Sequence, residues 1–202
     1  MKPTTGREAF EMLKKHHHQT FEQAVREKKA DPKIISLCSF VNAQPAFFSA
    51  SSCSGRIVIL ELNAAETKRE SAFAFKKHAS VTYSEIWKRL HAKSKSMLWL
   101  KQEPFILHLG TDSLENANRL LACAHKAGIK RGGIMVAKPT KFLLEFIGTH
   151  GFAVPVKQGA TILVTQPFVK KIVSVANQKL ATNFSRLEKF ETILRNELEK
   201  NA

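Results

Sequence analysis

The chain has 202 residues, enough for one domain with a sizeable core. Its 32 Lys plus Arg against 17 Asp plus Glu give a formal charge of +15, which points to a polyanion such as RNA or DNA as partner. A hydrophobic content of 44% with fourteen Phe excludes a disordered basic tail, and three cysteines without C-x-x-C spacing exclude a disulfide framework and the usual zinc clusters.

Phe10, Leu13, His17, Phe21, Ala24 and Val25 recur at helical spacing, predicting an amphipathic helix over residues 1–30 that ends near Ala30-Asp31-Pro32. Glu8, Glu11, Glu22 and Glu27 within it argue against a transit peptide. No apolar run in the chain reaches the roughly eighteen residues of a membrane span. A soluble, cytoplasmic protein is the expectation. His16-His17-His18 point about 100° apart on a helix and cannot share one metal ion, so solvated or phosphate-facing imidazoles are the better reading.

Pro32 to Ala43 reads as a second short helix, followed by a change to β pattern at Phe47-Phe48, Ile57–Leu62 and Ala72–Lys77, with Asn63–Glu70 as an exposed connection. Between Phe48 and Ile57 lies Ser51-Ser52-Cys53-Ser54-Gly55-Arg56. A plain hairpin turn needs only a couple of Gly/Asn-type residues, so this run of small side chains reads either as a serine-rich loop or as an elbow that lets backbone N–H groups, hydroxyls and one guanidinium approach a ligand.

Thr82–Lys93 is helical, with Trp87 expected in the core rather than as a base-stacking platform. Met97–Leu100 and Phe105–Leu109 are two apolar segments separated by Lys101-Gln102-Glu103-Pro104, with Pro104 at a bulge or strand start. A βαβ unit follows: strand Phe105–Leu109, Asp112 as N-cap with Glu115 three residues on, a helix stopped by Gly128, and a returning strand Ile134–Ala137. Gly132-Gly133 before it read as a two-glycine turn. Strands are predicted at Phe142–Ile147, Phe152–Val156 and Thr161–Val164, and a last helix over 167–200 opened by Pro167. The fold class expected is α+β, a single mixed-sheet domain over 1–202 and not a Rossmann type, with a build from two similar sheet-helix halves as the alternative to an undivided one, although no sequence repeat is visible.

No G-x-G-x-x-G follows a predicted strand and no P-loop is present. Glu103 and His108 are candidates for an acid–base pair, with a satisfied core histidine as the alternative for His108, and Cys53 reads as an inert thiol because no neighbouring histidine activates it.

Phe47–Ile57 with its Ser-Ser-Cys-Ser-Gly-Arg block, Lys101-x-Glu103-Pro104-Phe105-Ile106-Leu107-His108, Ala124–Ile134, and Ala176-Asn177 with Asn183 closely resemble the wybutosine-synthesis methyltransferase family, from Asp31 onward. The resemblance implies a non-Rossmann α+β fold and S-adenosylmethionine as cofactor. The reaction it implies is methyl transfer to the N4 nitrogen of the tricyclic base, already bearing a 3-amino-3-carboxypropyl group, at position 37 in the anticodon loop of phenylalanine tRNA. On that basis Ser51, Ser52, Cys53, Ser54, Gly55 and Gly133 are expected at the cofactor, and Glu103, His108 and Arg56 at the chemistry. Lys130, Arg131, Lys170, Lys171, Lys179 and Arg186 are expected on RNA phosphates. A non-catalytic basic RNA-binding module is the alternative reading, and no metal is expected.

Overall fold

The structure, a computed structural model, describes residues 6–62 and 72–199, so the connection Asn63–Glu70 lies outside the described residues. In chain order the elements are α1 (Gly6–Arg26), a 3₁₀ turn (Pro32–Ile34), α2 (Ile35–Ala43), β1 (Phe47–Ser49), β2 (Arg56–Leu62), β3 (Ala72–Lys77) and α3 (Tyr83–Leu90). They continue as β4 (Met97–Glu103), β5 (Ile106–Thr111), α4 (Leu114–Lys126), β6 (Gly132–Lys138), β7 (Lys141–Ile147), β8 (Phe152–Gln158), β9 (Thr161–Ile162) and α5 (Gln166–Glu199). The fold is α+β, with two sheets of antiparallel neighbours.

Two compact units share the chain. The first takes the described parts of residues 1–54, 105–148 and 184–202, the second those of 55–104 and 149–183. Helix α5 therefore contributes its first half to the second unit and its second half to the first.

The first unit is built on the sheet β1-β5-β7-β6. Alternation along β5 and β7 sends Leu107, Leu109, Leu144 and Phe146 into a core shared with Leu37 and Val41 of α2, Leu120 and Ala124 of α4, and Leu187, Phe190 and Leu194 of α5. The opposite face at β1 and β5 is covered by α1. Gly110 leaves room for Phe48, whose ring would lie only 2.0 Å from a Cβ at that position, and His17 and Phe10 of α1 pack on Phe48 at ring-centroid distances of 4.7 and 5.8 Å. Lys14 of α1 fixes the end of α2, its Nζ donating to the carbonyls of Asn42, Gln44 and Phe47 at 2.8, 2.5 and 2.7 Å.

Several boundaries differ from the sequence expectation. Helix α1 ends at Arg26 rather than near Asp31, because Lys28 takes a left-handed φ of 55°. The N-cap of α4 is Ser113, whose hydroxyl accepts from Asn116 N, while Asp112 instead accepts from the Asn116 side chain. In the βαβ unit, β5 and β6 do not pair: β7 lies between them and is antiparallel to both. Gly132 and Gly133 form no separate turn but begin β6. Lys101–Glu103 belong to β4, which pairs with β2 along its full length.

The second unit is built on the sheet β3-β2-β4-β8-β9. Its buried side chains include Ile57, Ile59, Leu98 and Leu100 from the strands, Ile86 and Leu90 from α3, and Val169, Val173, Ala176 and Leu180 from α5. Asn177 of α5 fixes Val81 by accepting from its N–H and donating to its carbonyl at 2.9 and 2.8 Å. Trp87 is half-buried rather than a core residue, stacked on Tyr83 and edge-on to His91 along the surface of α3.

Candidate functional site

In the first unit the serine-rich elbow runs along β5. Ala50 N donates to His108 O, Cys53 exchanges two hydrogen bonds with Ile106, and the Ser52 hydroxyl accepts from His108 N at 3.1 Å. Ser54 N donates to Asp31 Oδ2 at 2.7 Å, while Asp31 Oδ1 accepts from Lys33 N at the 3₁₀ turn. The N–H groups of Ala50, Cys53 and Ser54 thus hold the elbow in place, a correction to the expectation of N–H groups left free for a ligand. What the elbow does offer is its hydroxyls. Ser51 is exposed, Ser52 and Cys53 are half-exposed, and Ser54 Oγ is fully buried with no hydrogen-bond partner among the described residues.

His108 extends from β5 toward Glu145 of β7. The two residues are direct cross-strand partners, and Glu145 is in turn the partner of Gly133 on β6, so the three form one row across the sheet. His108 Nδ1 lies 2.6 Å from Ser51 O and Nε2 lies 2.8 Å from Glu145 Oε2. A carbonyl only accepts, so Nδ1 carries a proton and donates to Ser51, which fixes the ring with Nε2 turned to the carboxylate. Both ring nitrogens of His108 therefore have partners, as the satisfied-histidine alternative requires, but the side chain is half-buried on the sheet face rather than in the core, 24% exposed beside a Glu145 that is 22% exposed. At Gly133 an added Cβ would meet nothing within 4 Å, so the row opens onto free space beside Glu145. Its neighbour Gly132 is the opposite: φ is +147° and a Cβ would lie 2.1 Å from Glu145 O, so only glycine fits there.

In the second unit Arg56 of β2 faces Glu103 of β4 in register, and Nε donates to Oε2 at 2.6 Å. The guanidinium also lies 4.9 Å from the ring centroid of Phe73. The expected Glu103–His108 pair is therefore replaced by two pairs, Arg56–Glu103 and Glu145–His108, each within its own unit. Gly55, buried with φ +99°, precedes Arg56.

The basic candidates separate by environment. Lys130, Arg131, Lys170 and Lys171 are exposed. Lys179 is half-buried, and Arg186 donates to Gly128 O beyond the C-terminus of α4. Glu145 and Asp31 were not singled out by sequence reasoning. The only local signal for Glu145 was a lone carboxylate in an otherwise apolar strand, Phe142–Ile147.

A family model described as Methyltransferase TYW3 matches residues 7–196. A Pyrococcus furiosus protein named tRNA(Phe) 7-((3-amino-3-carboxypropyl)-4-demethylwyosine(37)-N(4))-methyltransferase 2 is 32% identical over 175 residues, covering 85% of this chain and 84% of its own length. A Homo sapiens protein named tRNA wybutosine-synthesizing protein 3 homolog is 32% identical over 180 residues, covering 88% of this chain and 69% of its own. Among solved structures, the PH1069 protein from Pyrococcus horikoshii superposes with a TM-score of 0.87 at 29% identity, over 93% of this chain and 96% of that one.

Proposed function

The chain belongs to the TYW3 methyltransferase family, and we propose that it methylates the N4 nitrogen of the 7-(3-amino-3-carboxypropyl)-4-demethylwyosine base at position 37 of phenylalanine tRNA, with S-adenosylmethionine as donor. The names of its relatives supply the substrate. The observation that carries the chemistry is the row His108–Glu145–Gly133, a polar pair on a sheet face beside open space.

The elbow fits a ligand with amino-acid and ribose groups: the unpartnered Ser54 Oγ, with the Ser51 and Ser52 hydroxyls, Cys53, Gly55 and Gly133, are the residues that would hold the cofactor. Bound S-adenosylmethionine supplies an electrophilic methyl group on a sulfonium centre. Methylation at nitrogen requires the N–H proton to leave, and in this reading Glu145 accepts it. His108 is a positioning residue. Pinned through Nδ1 to Ser51 O, it presents Nε2 to Glu145 Oε2 and keeps that carboxyl in one orientation. A positioned base contributes about 10²–10⁴ in rate, and holding the reactants in line is worth roughly 7–11 kcal/mol. Arg56, oriented by Glu103, is a candidate partner for a carboxylate of the RNA by bidentate pairing.

RNA affinity comes from the exposed Lys130, Arg131, Lys170 and Lys171, with Lys179 and Arg186 as further candidates, and falls steeply with salt. An unstacked loop base is the usual target of RNA recognition, consistent with a site in the anticodon loop. The test is incubation of the protein with labelled S-adenosylmethionine and phenylalanine tRNA lacking the final methylation, followed by nucleoside mass analysis. One added methyl on the tricyclic nucleoside supports the reading; a label on another nucleoside, or none, overturns it.

A further inference from the structure

The sheet of the second unit carries, beside Arg56 and Glu103, a set of rings and cations to which the proposed methyl transfer gives no role. Along β4, Leu98, Leu100 and Gln102 are buried while Met97, Trp99, Lys101 and Glu103 are half-buried, so the latter four share a face. Register places Arg56, Val58 and Leu60 of β2 opposite Glu103, Lys101 and Trp99. On β3, Lys76 lies opposite Val58 and Phe73 opposite Leu60. The bulge between Ile59 and Leu60 brings these two β3 residues, three apart in sequence, to the same side. Two aromatic rings and three cations are thereby interleaved. Arg56 and Lys76 lie 4.9 and 5.5 Å from the Phe73 ring centroid, and Lys101 lies 5.9 Å from that of Trp99.

Phe73 is 48% exposed, so burial does not account for a phenyl group at this point on a strand. Rings on a sheet face stack bases irrespective of sequence, and cations beside them meet the phosphates. We propose that this face is a stacking platform for unpaired RNA bases, with Phe73 as its principal ring and Trp99 as its second. The inference rests on the reading of RNA as substrate and adds where bases of that RNA are held. Charge complementarity selects the occupant: three cations around two rings suit a polyanion with aromatic bases and disfavour an apolar protein partner. Lys76 and Lys101, on flexible stems, leave the ring faces for the phosphates when a base stacks.

The chain has two tryptophans, so Trp87→Phe leaves Trp99 as the one indole reporter. An undermodified anticodon stem-loop RNA of phenylalanine tRNA is titrated into this variant, and saturable quenching of Trp99 fluorescence is expected. In the otherwise unaltered chain, Phe73→Ala and Phe73→Leu each weaken binding of the same RNA about fivefold to a hundredfold, whereas Phe73→Tyr binds as the parent does. Phe73 is half-exposed, so these variants keep the core intact. RNA binding equal to wild type in Phe73→Ala, or an unquenched Trp99 in a complex seen by mobility shift, overturns the platform. The readout is separate from methyl transfer: a protein that quenches on RNA but transfers no methyl retains the platform and loses the proposed reaction.

Discussion

Adjacent glycines at the start of β6 are expected to respond in opposite ways to substitution. At Gly132, φ of +147° is strained for any L side chain, and a Cβ would lie 2.1 Å from Glu145 O and 2.9 Å from Phe146 Cα, both backbone atoms of the neighbouring strand that cannot rotate away. Strain of about 1–3 kcal/mol adds to an overpacking cost of about 1–3 kcal/mol, so Gly132→Ala destabilises by roughly 2–6 kcal/mol. At about 2–4 °C per kcal/mol for a chain of this size, melting falls by roughly 4–24 °C. Gly133 has an ordinary φ and nothing within 4 Å of the added carbon. Gly133→Val therefore meets no clash at its Cβ and is expected to leave melting close to that of the parent. Its effect is on chemistry, because the side chain fills the space beside Glu145, and kcat/KM is expected to fall about tenfold or more, roughly 1.4 kcal/mol. Thermal melts and methyl-transfer kinetics of both variants separate the effects. A Gly133→Val enzyme with wild-type turnover would falsify the assignment of that space to the reactants, and unchanged melting of Gly132→Ala would refute the steric argument.

Three further outcomes follow from interactions away from the chemistry. Lys14→Met removes the cation that three carbonyls share between the end of α2 and the start of β1, and is expected to cost about 1–3 kcal/mol in urea unfolding. Burial, with His16 and Lys141 nearby, lowers the His17 pKa from 6.5. The unfolded chain then takes up the proton first, so stability is full above about pH 6.5 and declines as pH falls through that value; His17→Phe, which preserves the stack on Phe48, should flatten melting temperature between about pH 7.5 and 5. Glu85 is held at a pKa of about 2 by Lys77 and by the Thr82 N–H of its capping box. Its contribution is present above the ordinary carboxylate pKa and lost as pH drops toward 2, so Glu85→Gln should reduce the difference in stability between neutral and acid pH.

Local chemistry made the elements legible, and the sheets decided the partners. Ser51–Arg56 and Glu103–His108 stood out because small polar residues and a Glu-Pro pair are unusual between apolar strands. Their pairings did not, since each depends on strand register. His108 meets Glu145, 37 residues away, because β7 inserts between β5 and β6, an insertion that no periodicity in Phe105–Ala137 reveals. Gly133 changed meaning for the same reason: as a turn glycine it carries little, whereas as the partner of Glu145 it opens the row. Asp31 looks like a helix end in sequence, and only the fold brings Ser54 N to its Oδ2. Trp87 read as core because an apolar face was visible at Ile86 and Leu90, yet its ring lies along the helix surface between Tyr83 and His91.

The most direct test of the account is single-turnover methyl transfer to undermodified phenylalanine tRNA by Glu145→Gln beside the unaltered chain. Glutamine keeps the size of the side chain and removes its capacity to take a proton. The account predicts a rate lower by about 10²–10⁴ with RNA affinity unchanged. A variant that transfers methyl within about threefold of the parent rate contradicts the role assigned to the His108–Glu145 pair.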